Sequence, residues 1–242
     1  MTKLRIALAL LLAAALALPT VAFTHKPRPP KPGGGADLNE TTLPGGGGTE
    51  LTAEIWVDNW FAFWVNGEKL IEDSVPITTE RSFNAERVTF NSDPPFVFAF
   101  EFRDFMETAT GLEYIGTRRQ QMGDGGAIAQ VRDSTGALVA ATDADWRCLV
   151  VQHAPEQTSC ERERSPQVDK APCSQRVAEV PADWYAPGFD ASGWDAAMVH
   201  SARDVGPKDG YDRIDWDRAA RIIWGPDLKR DNVVLCRAEV PG

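Results

Sequence analysis

The amino-acid sequence predicts an all-β protein of the sandwich or jelly-roll class, and three observations carry that expectation. Apolar residues recur with a period of two, most clearly in Phe96–Arg103, "FVFAFEFR", where Phe96, Phe98, Phe100 and Phe102 share one face and Val97, Ala99, Glu101 and Arg103 the other. Similar short runs occur at 127–133, 137–141, 146–151, 221–224 and 232–240, separated by Gly, Pro, Asp and Asn. No long amphipathic helix competes with them, so the runs must bury their apolar faces against one another, sheet on sheet.

Taken in order, the chain begins "MTKLRIALALLLAAALALPTVAFTH", in which Lys3 and Arg5 precede an apolar run over 6–18 and a small-residue site at Thr20, Val21 and Ala22. That is the pattern of a secretory signal peptide over residues 1–22. The run is short for a bilayer span and no second run of about 18 apolar residues follows, which predicts a secreted, periplasmic or extracellular protein that is not membrane-embedded. Cleavage after Ala22 leaves no Cys at the new N-terminus and so no lipid attachment there. Residues 23–50 are Pro-rich and basic, then Gly-rich, with little to bury, and predict a disordered linker. It reads as a passive spacer or as a contact to an anionic envelope through His25, Lys26, Arg28 and Lys31. Residues 51–242 suit one domain, the β-sandwich.

Within that domain the stretch 55–70, "IWVDNWFAFWVNGEKL", raises a choice between ligand platform and core. It reads as two strands joined at Asp58 and Asn59, followed by a hairpin turn at Asn66 and Gly67, residue types that tolerate positive φ. In the second strand Trp60, Ala62 and Trp64 alternate with Phe61, Phe63 and Val65, so both faces are apolar. Such a strand is expected to be central and covered, which makes the stretch core.

Four cysteines in an exported chain, with no CxxC pair, predict disulfides. Of three pairings, spacing favours Cys160 with Cys173, which closes the polar loop "CERERSPQVDKAPC"; Cys148 with Cys236 then joins two strands. Zinc is a poor rival, because structural zinc sites draw on close ligand pairs. The whole chain carries 25 basic and 35 acidic residues, of which residues 1–50 hold 5 and 3, leaving 20 against 32 and a net charge of −12 on the domain. A field of that sign repels phosphate backbones and argues against nucleic-acid binding.

Three segments carry a resemblance to the galactose-binding-like β-sandwich, and especially to the non-catalytic sugar-binding-type domains attached to glycoside hydrolases. They are "VDNWFAFWVNGEKL" at 57–70, "TDADWRC" at 142–148 and "WYAPGFDASGWDAA" at 184–197. The resemblance implies a galactose-binding-like jelly roll in which the aromatics of the third segment plug the sandwich and Asp190 and Ser192 order its turn. Stretches at 105–125, 152–178 and 200–218 interrupt the family pattern and read as loop insertions.

The last insertion contains "KDGYDRIDWDR", where Asp209, Asp212, Asp215 and Asp217 offer oxygen ligands that suit calcium, interleaved with Tyr211 and Trp216, rings able to stack on a sugar. The spacing matches no EF-hand, and the loop reads also as a solvated acidic segment with Trp216 partly packed. Catalytic patterns are missing: there is no Gly-x-Ser-x-Gly elbow and no HExxH, "GDGG" at 123–126 lacks the helix and Lys of a phosphate loop, and His153, one of two histidines in the domain, reads as a surface residue. The expectation is a non-catalytic module that binds carbohydrate or a cell-surface polymer; the alternative is a structural or assembly protein that binds an envelope or matrix protein.

Overall fold

The computed structural model describes residues 38–45, 47–82 and 84–241. The expected signal peptide, and the linker up to residue 37 with His25, Lys26, Arg28 and Lys31, lie outside the described residues. In chain order the strands are β1 (Leu38–Thr42), β2 (Thr49–Asp58), β3 (Trp60–Val65), β4 (Glu68–Glu72), β5 (Ala85–Ser92), β6 (Phe96–Arg103), β7 (Leu112–Glu113), β8 (Gln121–Met122), β9 (Gly126–Asp133), β10 (Leu138–Ala141), β11 (Arg147–His153), β12 (Arg176–Val177), β13 (Asp195–Ala196), β14 (Met198–His200), β15 (Ile222–Trp224) and β16 (Asp231–Val240). One sheet runs β1-β5-β2-β9-β15-β14 with β10 also on β9; the other runs β12-β11-β16-β6-β3-β4 with β13 also on β11. The result is a mostly-β sandwich of two sheets, consistent with a jelly-roll-like fold. Among the described residues no helix is long and apolar enough to cross a membrane.

The period-two pattern builds the core directly. Leu51, Ala53, Ile55 and Val57 from β2 meet Phe61, Phe63 and Val65 from β3 and the four phenylalanines of β6, with Val234 and Cys236 of β16 beside them. The Phe63 and Phe100 rings stack at 4.3 Å between centroids, and Trp146 packs on Phe100 at 5.8 Å. Cys148 and Cys236 are directly opposed in the β11–β16 ladder, with Cα atoms 4.2 Å apart, and form a disulfide; Cys160 and Cys173 form the second. Asn66 and Gly67, at φ 50° and 92°, make the β3–β4 hairpin turn.

Four expectations need correction. The segment 38–50, read as linker, contains β1, which pairs parallel to β5, and the first residues of β2; Leu43 packs against the core, and Arg87 reaches both Glu40 and Glu54. Strand β3 is next to the edge strand β4 rather than central, and Trp60 and Trp64 are only half-buried on the outer face of their sheet. The aromatics of 184–194 do not plug the sandwich. Trp184, Tyr185, Phe189 and Trp194 cover that same outer face with Trp64, in a cluster separate from the main core, while Asp190 does order its turn by accepting the Ser192 amide at 2.9 Å. His153, read as a surface residue, is half-buried, with its Nδ1 2.6 Å from Asp231 Oδ1.

The insertion at 200–218 has a matching structural use on the other sheet. Trp56, on the outward parity of β2, is fully buried because Val205, Tyr211, Ile214 and Trp216 close over it. Its indole N–H donates to the Asp209 carbonyl at 3.0 Å. Gln130 Nε2 donates to the Asp215 carbonyl, the Asp217 amide donates to Gln130 Oε1, and Arg132 pairs with the Asp217 carboxylate. The backbone of this loop is thereby fixed against the sheet.

Candidate functional site

At one end of the sandwich three carboxylates converge that no local motif joins. Asp58 is the last residue of β2, two positions after Trp56 and on the same outward parity; Asp104 follows β6; Asp124 sits in the turn before β9, whose Gly126 is the register partner of Asp58. One ligand oxygen from each lies within 4.8 Å of the others. Asn59, buried at the crossing from one sheet to the other, holds the neighbouring segments: its side chain donates to the Glu80 carbonyl at 3.2 Å and accepts the Phe105 amide at 2.6 Å.

Close approach is bought with glycine. A Cβ on Gly123 would stand 1.6 Å from Asp104 Oδ2, and one on Gly125 would stand 2.3 Å from the Trp224 ring, so the "GDGG" turn packs its bare backbone against a carboxylate and a buried indole. The turn thereby delivers Asp124 to the cluster.

Above these carboxylates lies a pocket of about 330 Å³ lined by Glu80, Arg81, Glu113, Tyr114, Gln121, Asp124, Lys208 and Asp209. Glu113 and Gln121 face each other across the β7–β8 ribbon, with the Gln121 amide donating to Glu113 Oε2 at 2.8 Å. The Tyr114 hydroxyl donates to Glu80, and Arg119 lies over the Tyr114 ring at 4.1 Å. Lys208 Nζ is 3.0 Å from Asp124 Oδ2 and 3.5 Å from Asp58 Oδ2. Two of the loop insertions, 105–125 and 200–218, meet here.

The electrostatics are those of negative charge with too little water. Burial, then the charge of Asp124, raises Asp58 to about 7 against the opposing pull of Lys208. Asp104 is pushed well above the ordinary carboxylate range by burial and then by Asp58 and Asp124. Burial likewise takes Glu113 to about 7, against the Gln121 hydrogen bond. Burial works to lower Lys208, but the charges of Asp58 and Asp124 outweigh it and hold the ammonium above its usual value.

A larger cleft, about 570 Å³, opens between β10, Trp146, the 189–192 turn and the end of β16. It lies some 25 Å along β16 from the acidic end, at about 3.3 Å per residue. Several of its polar groups are engaged: Asp143 and Asp190 accept amides of their own turns, and Arg237 donates through its two terminal nitrogens to the carbonyls of Ala186 and Phe189. The acidic end is set apart by carboxylate oxygens, Oδ1 of Asp58 and both of Asp104, that are buried with no hydrogen-bond partner.

The residues singled out in "KDGYDRIDWDR" are distributed differently. Asp209, Asp212 and Asp215 are exposed, Asp217 is half-buried on Arg132, and none belongs to the three-carboxylate group. Tyr211 and Trp216 pack with Trp56, Tyr211 edge-on at 5.6 Å, and the Trp216 indole donates to the Tyr211 carbonyl. The residues missed by sequence reasoning, Asp58, Asp104, Glu113 and Lys208, are scattered over the chain; the one available signal was that two insertions contribute to the pocket.

No protein-family model, curated protein or solved structure matches this chain. The reading of the site therefore rests on its own chemistry.

Proposed function

We propose that this chain is an exported, non-catalytic binding module of galactose-binding-like type that takes a carbohydrate, or another hydroxyl-rich surface polymer, in the acidic pocket. The observation that carries the reading is the convergence of both acceptors (Glu80, Glu113, Asp124) and donors (Lys208, Arg81, the Gln121 amide) around one concavity, beside the Tyr114 ring. Vicinal hydroxyls, each donor and acceptor at once, match such a lining. Export is supported by the signal-peptide pattern of residues 1–22 and by two disulfides. Binding rather than catalysis is supported by burial: Asp58 and Asp104, at 0% and 1% exposure, present no surface to a substrate.

The test is a glycan array probed with the purified chain and with Glu80→Gln and Gln121→Ala. Retention of a defined glycan class by the parent, reduced in both variants at unchanged melting temperature, is the expected result; parent and variants binding alike would remove the pocket from the reading. A protein-binding alternative has its own support in an apolar groove on the outer face of the second sheet, lined by Met106, Val151, Val177, Val180, Val233 and Leu235, with Val177 and Val180 60% and 48% exposed. Loss of envelope-fraction association in Val177→Asp, with glycan retention intact, would favour it.

A further inference from the structure

We propose that Asp58, Asp104 and Asp124 form a divalent-cation site of the calcium class on the floor of the acidic pocket, with ligands from outside the "KDGYDRIDWDR" segment, which contributes Lys208 and Asp209 to the pocket wall. The first argument is the donor set. Three carboxylate oxygens within 4.8 Å of one another are hard ligands, and calcium–oxygen distances of about 2.3 to 2.6 Å span that spread without rearrangement. Magnesium, at about 2.0 to 2.1 Å, reaches across only about 4.2 Å and demands stricter geometry.

The second argument is independent of the clustering. Both carboxylate oxygens of Asp104 and Oδ1 of Asp58 are buried with no hydrogen-bond partner. Buried polar atoms are nearly always satisfied, and leaving a carboxylate without partners costs several kcal/mol in general, so partnerless oxygens on two of the three clustered carboxylates call for a cation. The bare Cα of Gly123 closes one side of Asp104; a Cβ there would overlap Oδ2. Asp58 is fixed at the end of a ladder of eight register pairs with β9.

The third argument concerns Lys208. Its ammonium reaches Asp124 and Asp58 from the pocket side, its side chain is 42% exposed, and it leaves Asp104 without a bond. One monovalent charge on an exposed stem is the group that a divalent ion displaces toward solvent. Asp124, half-buried, marks the side from which the ion enters.

The experiment needs no glycan, so its failure is distinct from failure of the binding-module reading. The purified chain, stripped with chelator, is titrated with calcium and separately with magnesium by calorimetry and melted with and without each ion. One saturable calcium site per chain is expected, with an approximately elevenfold rise in the folding equilibrium at about tenfold excess over Kd. Asp104→Asn should lose the calcium response while melting at or above the metal-free parent, since it removes a buried carboxyl that has no hydrogen-bond partner and whose ionisation burial opposes. Asp124→Asn, at a half-buried position, should lose the response as well and guards against a folding defect in the first variant. Asp212→Asn and Asp215→Asn should keep it, and Lys208→Met should tighten calcium binding. No calcium response in the parent, or a response that survives both Asp104→Asn and Asp124→Asn, overturns the proposal; magnesium binding as tightly as calcium overturns the calcium-class assignment.

Discussion

Gly123→Ala tests how tightly the acidic end is built. The added methyl would lie 1.6 Å from Asp104 Oδ2, 2.7 Å from its Cγ and 3.3 Å from Oδ1, whereas ordinary contact begins at 3.4 Å, so carboxylate and turn must part by about 1.8 Å. Neither side yields cheaply. Asp104 is 1% exposed and its amide is bonded to the Asn232 carbonyl, while two residues on, Gly125 is held against the fully buried Trp224 ring. Overpacking a buried site costs about 1 to 3 kcal/mol. Alanine gains about 0.4 to 1 kcal/mol back from the less flexible unfolded chain, because Gly123 does not occupy the positive-φ region. The net expectation is a loss of about 1 to 2 kcal/mol, a melting temperature lower by roughly 2 to 8 °C for a domain of this size. Denaturant unfolding and thermal melts in calcium and in chelator read it, and the calcium response should shrink with the displaced carboxylate. A Gly123→Ala protein as stable as the parent, with the full calcium response, would refute the close packing argued for this turn.

Phe63→Ala should cost about 3 to 5 kcal/mol, as large-to-small changes at fully buried sites do, whereas Trp64→Ala, stacked on Tyr185 at 5.5 Å but partly in water, should cost about 1 to 2 kcal/mol; equal losses in chemical denaturation would contradict the assignment of the two faces of β3. Peptide mapping without reduction should recover both disulfides. Removing Cys148–Cys236, whose partners are 88 positions apart in sequence, should destabilise by about 4 to 5 kcal/mol against about 3 kcal/mol for Cys160–Cys173, 13 apart, and the reverse order would point to enthalpic rather than loop-closure control. The metal-free domain should lose stability as pH rises from about 5 to 8. Burial raises Asp73 to about 8, against the Val75 amide and with help from Glu86, and Asp58 and Glu113 to about 7, so the folded state holds protons that the unfolded chain has released. The favourable contribution is present at low pH and disappears as pH climbs through the folded pKa, at a slope of at most about 1.4 kcal/mol per unit and group. Asp133, Asp190 and Asp217, held below the ordinary range by turn hydrogen bonds, act only in more acid solution. Urea unfolding at pH 5, 6, 7 and 8 measures the slope, and Asp73→Asn should flatten its upper part.

What could be read along the chain was whatever depends on near neighbours. Alternation in "FVFAFEFR" requires a strand with one strongly apolar face because successive side chains point to opposite sides, and Asn66-Gly67 requires a hairpin because few other residues accept its dihedrals. The Cys160–Cys173 loop was legible for the same reason. Strand β5 is not legible in the sequence, since Glu86, on the parity of Val88 and Phe90, interrupts its pattern; the fold buries that carboxylate with hydrogen bonds from nearby Asn84 and from Ser74 and Asn39, which no local window contains. Local spacing also could not say which apolar face would be covered, so β3 read as enclosed although Trp60 and Trp64 stand half-buried on an outer face.

The acidic site belonged wholly to the tertiary structure. Asp58 reads in sequence as a turn residue, Asp124 as part of a glycine-rich loop and Lys208 as the edge of an acidic segment, and nothing in their spacing relates them. They meet because β9 pairs with β2, because β2 and β6 end at the same end of the sandwich, and because Trp56 fastens the 200–218 loop through the Asp209 carbonyl. Sequence density of carboxylates pointed instead to Asp209, Asp212, Asp215 and Asp217, of which the fold sets Asp209 on the pocket wall, leaves Asp212 and Asp215 at the surface and places Asp217 on Arg132. Chain composition sets how much charge there is; the order of strands in two sheets decides where charge is taken out of water, and burial rather than number makes a carboxylate need a partner.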